Sequence, residues 1–139
     1  MRSHSRVFHV QTEGFSDMHD ITPLAAEFLS STSVQNGIFC AFVPGATAGL
    51  TTIECEEGAL HDLREAIERM APRNIHYEHD SRWGDGNGFS HVRAALLGPS
   101  LSVPVAEGRL RLGTWQQMIL IDFDNRPRNR EVIFEVVGD

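Results

Sequence analysis

Cysteine is scarce. Cys40 and Cys55 are the only two in 139 residues, too few and too far apart for a disulfide framework or a CxxC zinc knuckle, so reduced thiols and a cytoplasmic setting are expected. Long apolar runs are missing as well: nothing approaches the roughly 18 consecutive apolar residues that span a bilayer. The basic start Met1-Arg2-Ser3-His4-Ser5-Arg6 passes into alternating Val7, Phe8, His9, Val10 and Gln11 and not into an apolar signal core. Positive charge is also short. Twelve Lys and Arg against 19 Asp and Glu leave a formal net charge of −7, which argues against general nucleic-acid binding, because neutralising phosphates needs a basic face. No Walker loop is present, so any phosphate must be held by other donors.

What remains is ordinary globular composition, with 41% hydrophobic and 22% charged residues. At this length it makes one domain, residues 1–139, whose expected partners are small molecules or other proteins. No internal repeat or low-complexity tract divides it.

Residues 6–12 read as a strand, and Thr22 as the N-cap of a helix with Pro23 at its first position, ending near Ser33. The apolar run 37–43 is too short for a typical helix and reads as a buried strand broken by Pro44-Gly45. Residues 50–55 are β-branched and alternate, giving a second strand. Leu60, Leu63, Ile67 and Met70 recur at helical steps, which predicts an amphipathic helix over 59–70 stopped by Pro72. Residues 73–90 read as a long polar loop, then Ser90 as the cap of a short helix to Leu97. Strands are expected at 100–105, 109–115, 116–123 and 131–137, with 124–129 as a turn, and the neighbouring cluster of Arg126, Arg128 and Arg130 reads as solvated. The sum is an α+β fold: a β-rich sandwich or flattened barrel, mainly antiparallel, with helices packed on one side.

Chemistry concentrates in His76-Tyr77-Glu78-His79-Asp80 and in Ser90-His91. Imidazoles and carboxylates in one loop can build a metal site or an acid–base pair, although no HExxH or other zinc spacing is present. His91, placed in the first turn of its helix, is expected beside an anion pocket formed by unpaired N–H groups.

The stretch from Ser100 through Gly108 to Gly113-Thr114-Trp115-Gln116 resembles the C-terminal signature of the YjbQ-like family, described as secondary thiamine-phosphate synthases. Asp20-Ile21-Thr22, Ala48-Gly49-Leu50-Thr51, Tyr77-Glu78-His79-Asp80, Ser90-His91 and Leu97-Gly98 are similar to family blocks in the same order, covering nearly the whole chain. The resemblance implies a homotrimer that binds a small phosphorylated molecule and has a weak ability to join a pyrimidine diphosphate to a thiazole phosphate. His79, Asp80, His91 and Glu54 are then the candidate catalytic set, Ser90 and Thr47 candidate ligand contacts, and His79 and His91 candidate ligands for a divalent metal, zinc or magnesium. Two departures stand out: Gly45-Ala46-Thr47 replaces a usual His-Thr-Thr, removing an imidazole, and Ile53-Glu54-Cys55 replaces Asn-Glu-Asn. Restoring histidine at position 45 should strengthen zinc binding, provided the backbone there does not need positive φ. Two other functions fit the same residues: a non-catalytic ligand-binding trimer with a degenerate site, and a metal-assisted hydrolase using His79, His91 and a carboxylate. Trp115 is expected to be buried beside a glycine-lined strand.

Overall fold

The computed structural model describes residues 1–139. The chain runs β1 (Arg2–Thr12), β2 (Asp17–Asp20), α1 (Thr22–Thr32), β3 (Gly37–Phe42), β4 (Ala48–Ile53), α2 (Glu57–Met70), α3 (Glu78–Trp83), α4 (Gly88–Leu97), β5 (Ser100–Ala106), β6 (Arg109–Leu110), β7 (Gln117–Asp122) and β8 (Arg128–Gly138). All strand pairs are antiparallel. They form a five-stranded sheet, β1-β8-β3-β5-β6, and a three-stranded sheet, β2-β7-β4, curled into a half-barrel. The α+β fold class read from the sequence is therefore the observed one. No helix is long and apolar enough to cross a membrane.

Hydrophobic pattern decides where each sheet faces. Along β8, Val132, Phe134 and Val136 are fully buried while the residues between them are not, the period-two signature of a strand with one face in the core. Phe134 sits 5.0 Å from Phe8, 5.9 Å from Phe28 and 5.2 Å from Phe39, ring centre to ring centre and tilted, so α1 is locked onto the large sheet by aromatic packing. The central strand β7 is different. Met118 and Leu120 enter this main core, whereas Ile119, Ile121 and, just past the strand, Phe123 join a second cluster with Ile67 of α2 and Ala94 of α4. A strand covered on both faces has no polar side to show, which is why the sequence from 118 to 121 is continuously apolar.

Several boundaries move for identifiable reasons. Helix α2 begins before residue 59 because both Glu56 carboxylate oxygens accept N–H bonds, from Gly58 at 2.6 Å and Ala59 at 2.9 Å. Thr22 is the first residue of α1 and not its cap; its hydroxyl accepts the Met118 N–H at 2.8 Å. The polar segment 73–90 is not a plain loop, since it contains α3 and the start of α4. Ser90 does not cap α4, which opens at Gly88 with Asn87 as N-cap.

The expected strand 109–115 shrinks to Arg109–Leu110. Residues 113–116 turn instead, held where Gly113 N–H donates to Gln116 Oε1 at 3.0 Å and Gln116 Nε2 donates to Thr52 Oγ1 at 3.1 Å. Trp115 rides on that turn and is 73% exposed, not buried, because a turn residue has no sheet neighbour to cover it.

Candidate functional site

The site grows from the C-terminal end of β7, where Asp122 and Asp124 lie wholly out of solvent. Buried carboxylates persist only when paired and hydrogen-bonded, and these two are. Asp122 accepts Arg130 Nε at 2.6 Å and Nη2 at 2.9 Å, with Thr12 Oγ1 donating at 2.5 Å. Asp124 accepts Arg128 Nε at 2.9 Å and Nη2 at 2.6 Å on one oxygen, and Thr47 Oγ1 at 3.1 Å on the same oxygen. Its other oxygen takes Asn87 Nδ2 at 3.2 Å and the Asn125 N–H at 2.8 Å. Burial alone would raise the pKa of Asp124, but the bonds from Asn87, Arg128, Asn125 and Thr47 outweigh it and hold that pKa at about 2. Burial is likewise outweighed at Asp122, mainly by Arg130 and Thr12, so that group too is lowered.

Over this network opens a cleft of about 500 Å³. Arg128 and Arg130 of β8 line it, together with Thr47, His79, Asp85, His91 and Trp83. His79 comes from α3 and His91 from α4, and their rings stand 4.3 Å apart at a 37° tilt. The two helices meet because Asp80 Oδ1 accepts the Gly88 N–H at 2.8 Å. Glycine is required at 88, where a Cβ would fall 2.6 Å from Tyr77 Cβ. Helix α4 is fixed from behind by Arg93, buried, which donates to Ala71 O at 3.0 Å and Ser16 Oγ at 3.2 Å and pairs with Glu68.

His79 Nδ1 is buried without a hydrogen-bond partner. It lies 3.4 Å from Asp85 Oδ1 and 3.8 Å from Asp80 Oδ1, and the ligand atoms of the three residues fall within 4.8 Å of one another. One imidazole nitrogen and two carboxylates around an unsatisfied buried atom make a donor set that fits a divalent cation.

The sequence-derived candidates divide. His79, His91 and Thr47 line the cleft and Asp80 stands beside His79, although Thr47 faces the cleft as a brace, bonded to Asp124 and, at 2.6 Å, to Arg130 Nη2. Ser90 does not offer its hydroxyl to a ligand: it is wholly buried and donates to Asn87 O at 2.5 Å. Glu54 is exposed just past the end of β4, and the strand rise puts it roughly 20 Å from Thr47 and the cleft. His76 is exposed and faces only Glu78. His91 is the fourth residue of α4, one turn in, and lines the cleft together with the N-cap Asn87; the Gly88 N–H of that first turn is taken by Asp80.

Arg128, Arg130, Asp122, Asp124 and Asp85 were not among the sequence candidates. A signal existed for the arginines. Alternation from Phe134 and Val132 runs back to Arg130 and Arg128 on the same face, but the turn composition around Pro127 hid it. At Gly45, φ is +141° and a Cβ would sit 3.0 Å from Arg130 Nη1, so the proviso on placing histidine there is not met.

The family model described as UPF0047 protein YjbQ-like matches residues 6–139. A UPF0047 protein of Methanothermobacter thermautotrophicus is 33% identical over 138 residues, 99% of this chain and 94% of its own. One of Methanocaldococcus jannaschii is 31% identical over 133 residues, covering 95% and 93%. Among solved structures, a YbjQ-like protein of unknown function from Sulfolobus solfataricus P2 aligns with a TM-score of 0.94 at 28% identity, over 99% of both chains. A hypothetical protein from Aeropyrum pernix K1 gives 0.89 at 31%, over 100% of both.

Proposed function

The chain belongs to the YjbQ-like UPF0047 family, and from that premise we propose that its cleft binds a small phosphorylated molecule and joins a pyrimidine diphosphate to a thiazole phosphate. The observation that carries this reading is the polarity of the cleft, with guanidinium groups on the β8 wall and the His79, Asp80 and Asp85 donors on the α3 side.

In that transfer the thiazole ring nitrogen forms a bond to the pyrimidine methylene carbon. The bond from that carbon to the diphosphate oxygen breaks, and diphosphate leaves with the electron pair. Negative charge therefore grows on the leaving oxygen, and preorganised donors aimed at it lower the barrier. Arg128 and Arg130 hold the phosphoryl oxygens in this reading, and His91 offers a ring nitrogen beside them. His79, Asp80 and Asp85 would hold a divalent cation, zinc or magnesium, which would supply further neutralisation of the diphosphate. Asp122, Asp124 and Thr47 position the two arginines.

The same reading includes a homotrimer. Its support is apolar surface left uncovered on one subunit: Val7, Ile133 and Phe42 form a row across the outer face of the large sheet, and Trp115 stands free. Light scattering at micromolar concentration checks it, and a monomer would refute it.

Incubation with both substrates and Mg²⁺, read by mass spectrometry of the product, tests the activity. Thiamine phosphate is expected, with turnover reduced about 100-fold or more in Arg128→Gln and His91→Ala. Absence of product with wild-type protein overturns it. A second reading, metal-assisted hydrolysis of a phosphate ester, is favoured by the three-donor cluster at His79 and would show as zinc-dependent phosphate release without a second substrate.

A further inference from the structure

We propose that Arg128 and Arg130 form a phosphoryl subsite that works without metal, separate from the His79–Asp80–Asp85 cluster and uncovered by Gly45. The inference rests on reading the cleft as a site for a phosphorylated molecule and deepens it by naming the group recognised and the donors that do so.

All twelve basic residues of the chain are arginine, so every permanent cation is a planar fork suited to phosphate geometry. Two of those forks are fixed in the cleft wall by the same device. Arg128 is held along its Nε–Nη2 edge by Asp124, and Arg130 along the equivalent edge by Asp122. Thr47 takes a further Nη2 hydrogen of Arg130. The Nη1 group of each arginine is left with no hydrogen-bond partner, on a side chain whose position is already fixed. Donors ordered in advance lose little entropy when a ligand arrives.

Position 45 adjoins one of these donors. The glycine there has no Cβ, and one would stand only 3.0 Å from Arg130 Nη1. Any side chain would crowd the guanidinium, and the local φ of +141° admits glycine with little strain. Repulsion favours the arginines as the anion's place: Asp80 and Asp85 flank His79, so a phosphoryl group without a cation settles against the guanidinium groups. Asp122 and Asp124 balance the two arginine charges. Selection therefore comes from oriented N–H groups more than from net positive potential, and binding should depend only weakly on salt.

The probe is inorganic phosphate, titrated calorimetrically into the full chain in a buffer containing chelator. Binding is expected to persist in chelator, to weaken tenfold or more in Arg128→Gln, and to weaken in Gly45→Ala, each variant being checked for folding by circular dichroism. Arg128→Lys, which keeps the charge and loses the fork, should not restore wild-type affinity. Loss of binding on chelation overturns the subsite, and that arm needs no variant to fold. Equal affinity in wild type and a folded Arg128→Gln overturns it too. The outcomes separate from those of the transfer reaction: a chain that makes product but binds phosphate only with metal loses this subsite and keeps its activity. Metal-free binding without product does the reverse.

Discussion

The backbone N–H of Asp124 donates to Asp122 Oδ1 at 3.0 Å, so the two buried acids at the end of β7 form one electrostatic unit. Each has an arginine from β8 locked against it. Both carboxyls titrate below their ordinary 3.8, Asp124 at about 2. The unfolded chain therefore takes up these protons first on acidification. Stability from the pair is complete above the unfolded value and is lost as pH falls through about 4 to 2, with Asp124 contributing on the order of 2 kcal/mol. Urea melts across that range should show the fall, and Asp124→Asn should reduce the slope. A flat profile between pH 4 and 2 would contradict the pairing.

Metal affinity should follow the donors around His79 Nδ1 and not the histidine content of the segment. Zinc titration is expected to weaken at least tenfold in His79→Ala and in Asp85→Asn, since each removes an oriented donor. His76→Ala should bind as wild type, its ring being exposed and outside the cleft. An equal loss in His76→Ala would mean that the cluster is not the site.

Gly45→His, which on sequence grounds alone should strengthen zinc binding, is expected to fail for two reasons that the backbone supplies. The φ of +141° is one that L side chains rarely adopt, at a strain of roughly 1–3 kcal/mol, and Arg130 Nη1 occupies the adjoining space. A lower melting temperature with no gain in zinc affinity is the expected result. A folded variant of unchanged stability that binds zinc more tightly would refute both parts.

Trp115→Ala should change the stability of the isolated subunit by no more than about 0.5 kcal/mol, because the exposed ring has little packing to lose. Its effect should appear in assembly. A shift towards monomer in light scattering with an unchanged fold is expected; a large drop in subunit stability measured on monomer would show that the ring packs within the chain.

What the sequence determined by itself was whatever local pattern controls. The alternation of Val132, Phe134 and Val136 and the unbroken apolar run through Ile121 each fixed an element and its buried face, and the helical spacing of Leu60, Leu63, Ile67 and Met70 fixed a helix, although of those four only Ile67 is buried and Met70 is exposed. It also marked His79 and His91 as chemical candidates, and these do meet. Tertiary structure alone decided what they meet. Glu54 and Thr47 stand at opposite ends of one strand, a separation that spacing in sequence cannot reveal. Asp122 and Asp124 look like the end of a strand and the start of a turn until β8 brings Arg130 and Arg128 against them, and Gly45, 85 residues earlier, comes so close to Arg130 that a Cβ there would crowd its Nη1. Hydrogen bonding between distant segments depends on which strands pair and in what register. Burial then made those charges partners, since a carboxylate taken out of water must find a cation or lose its charge.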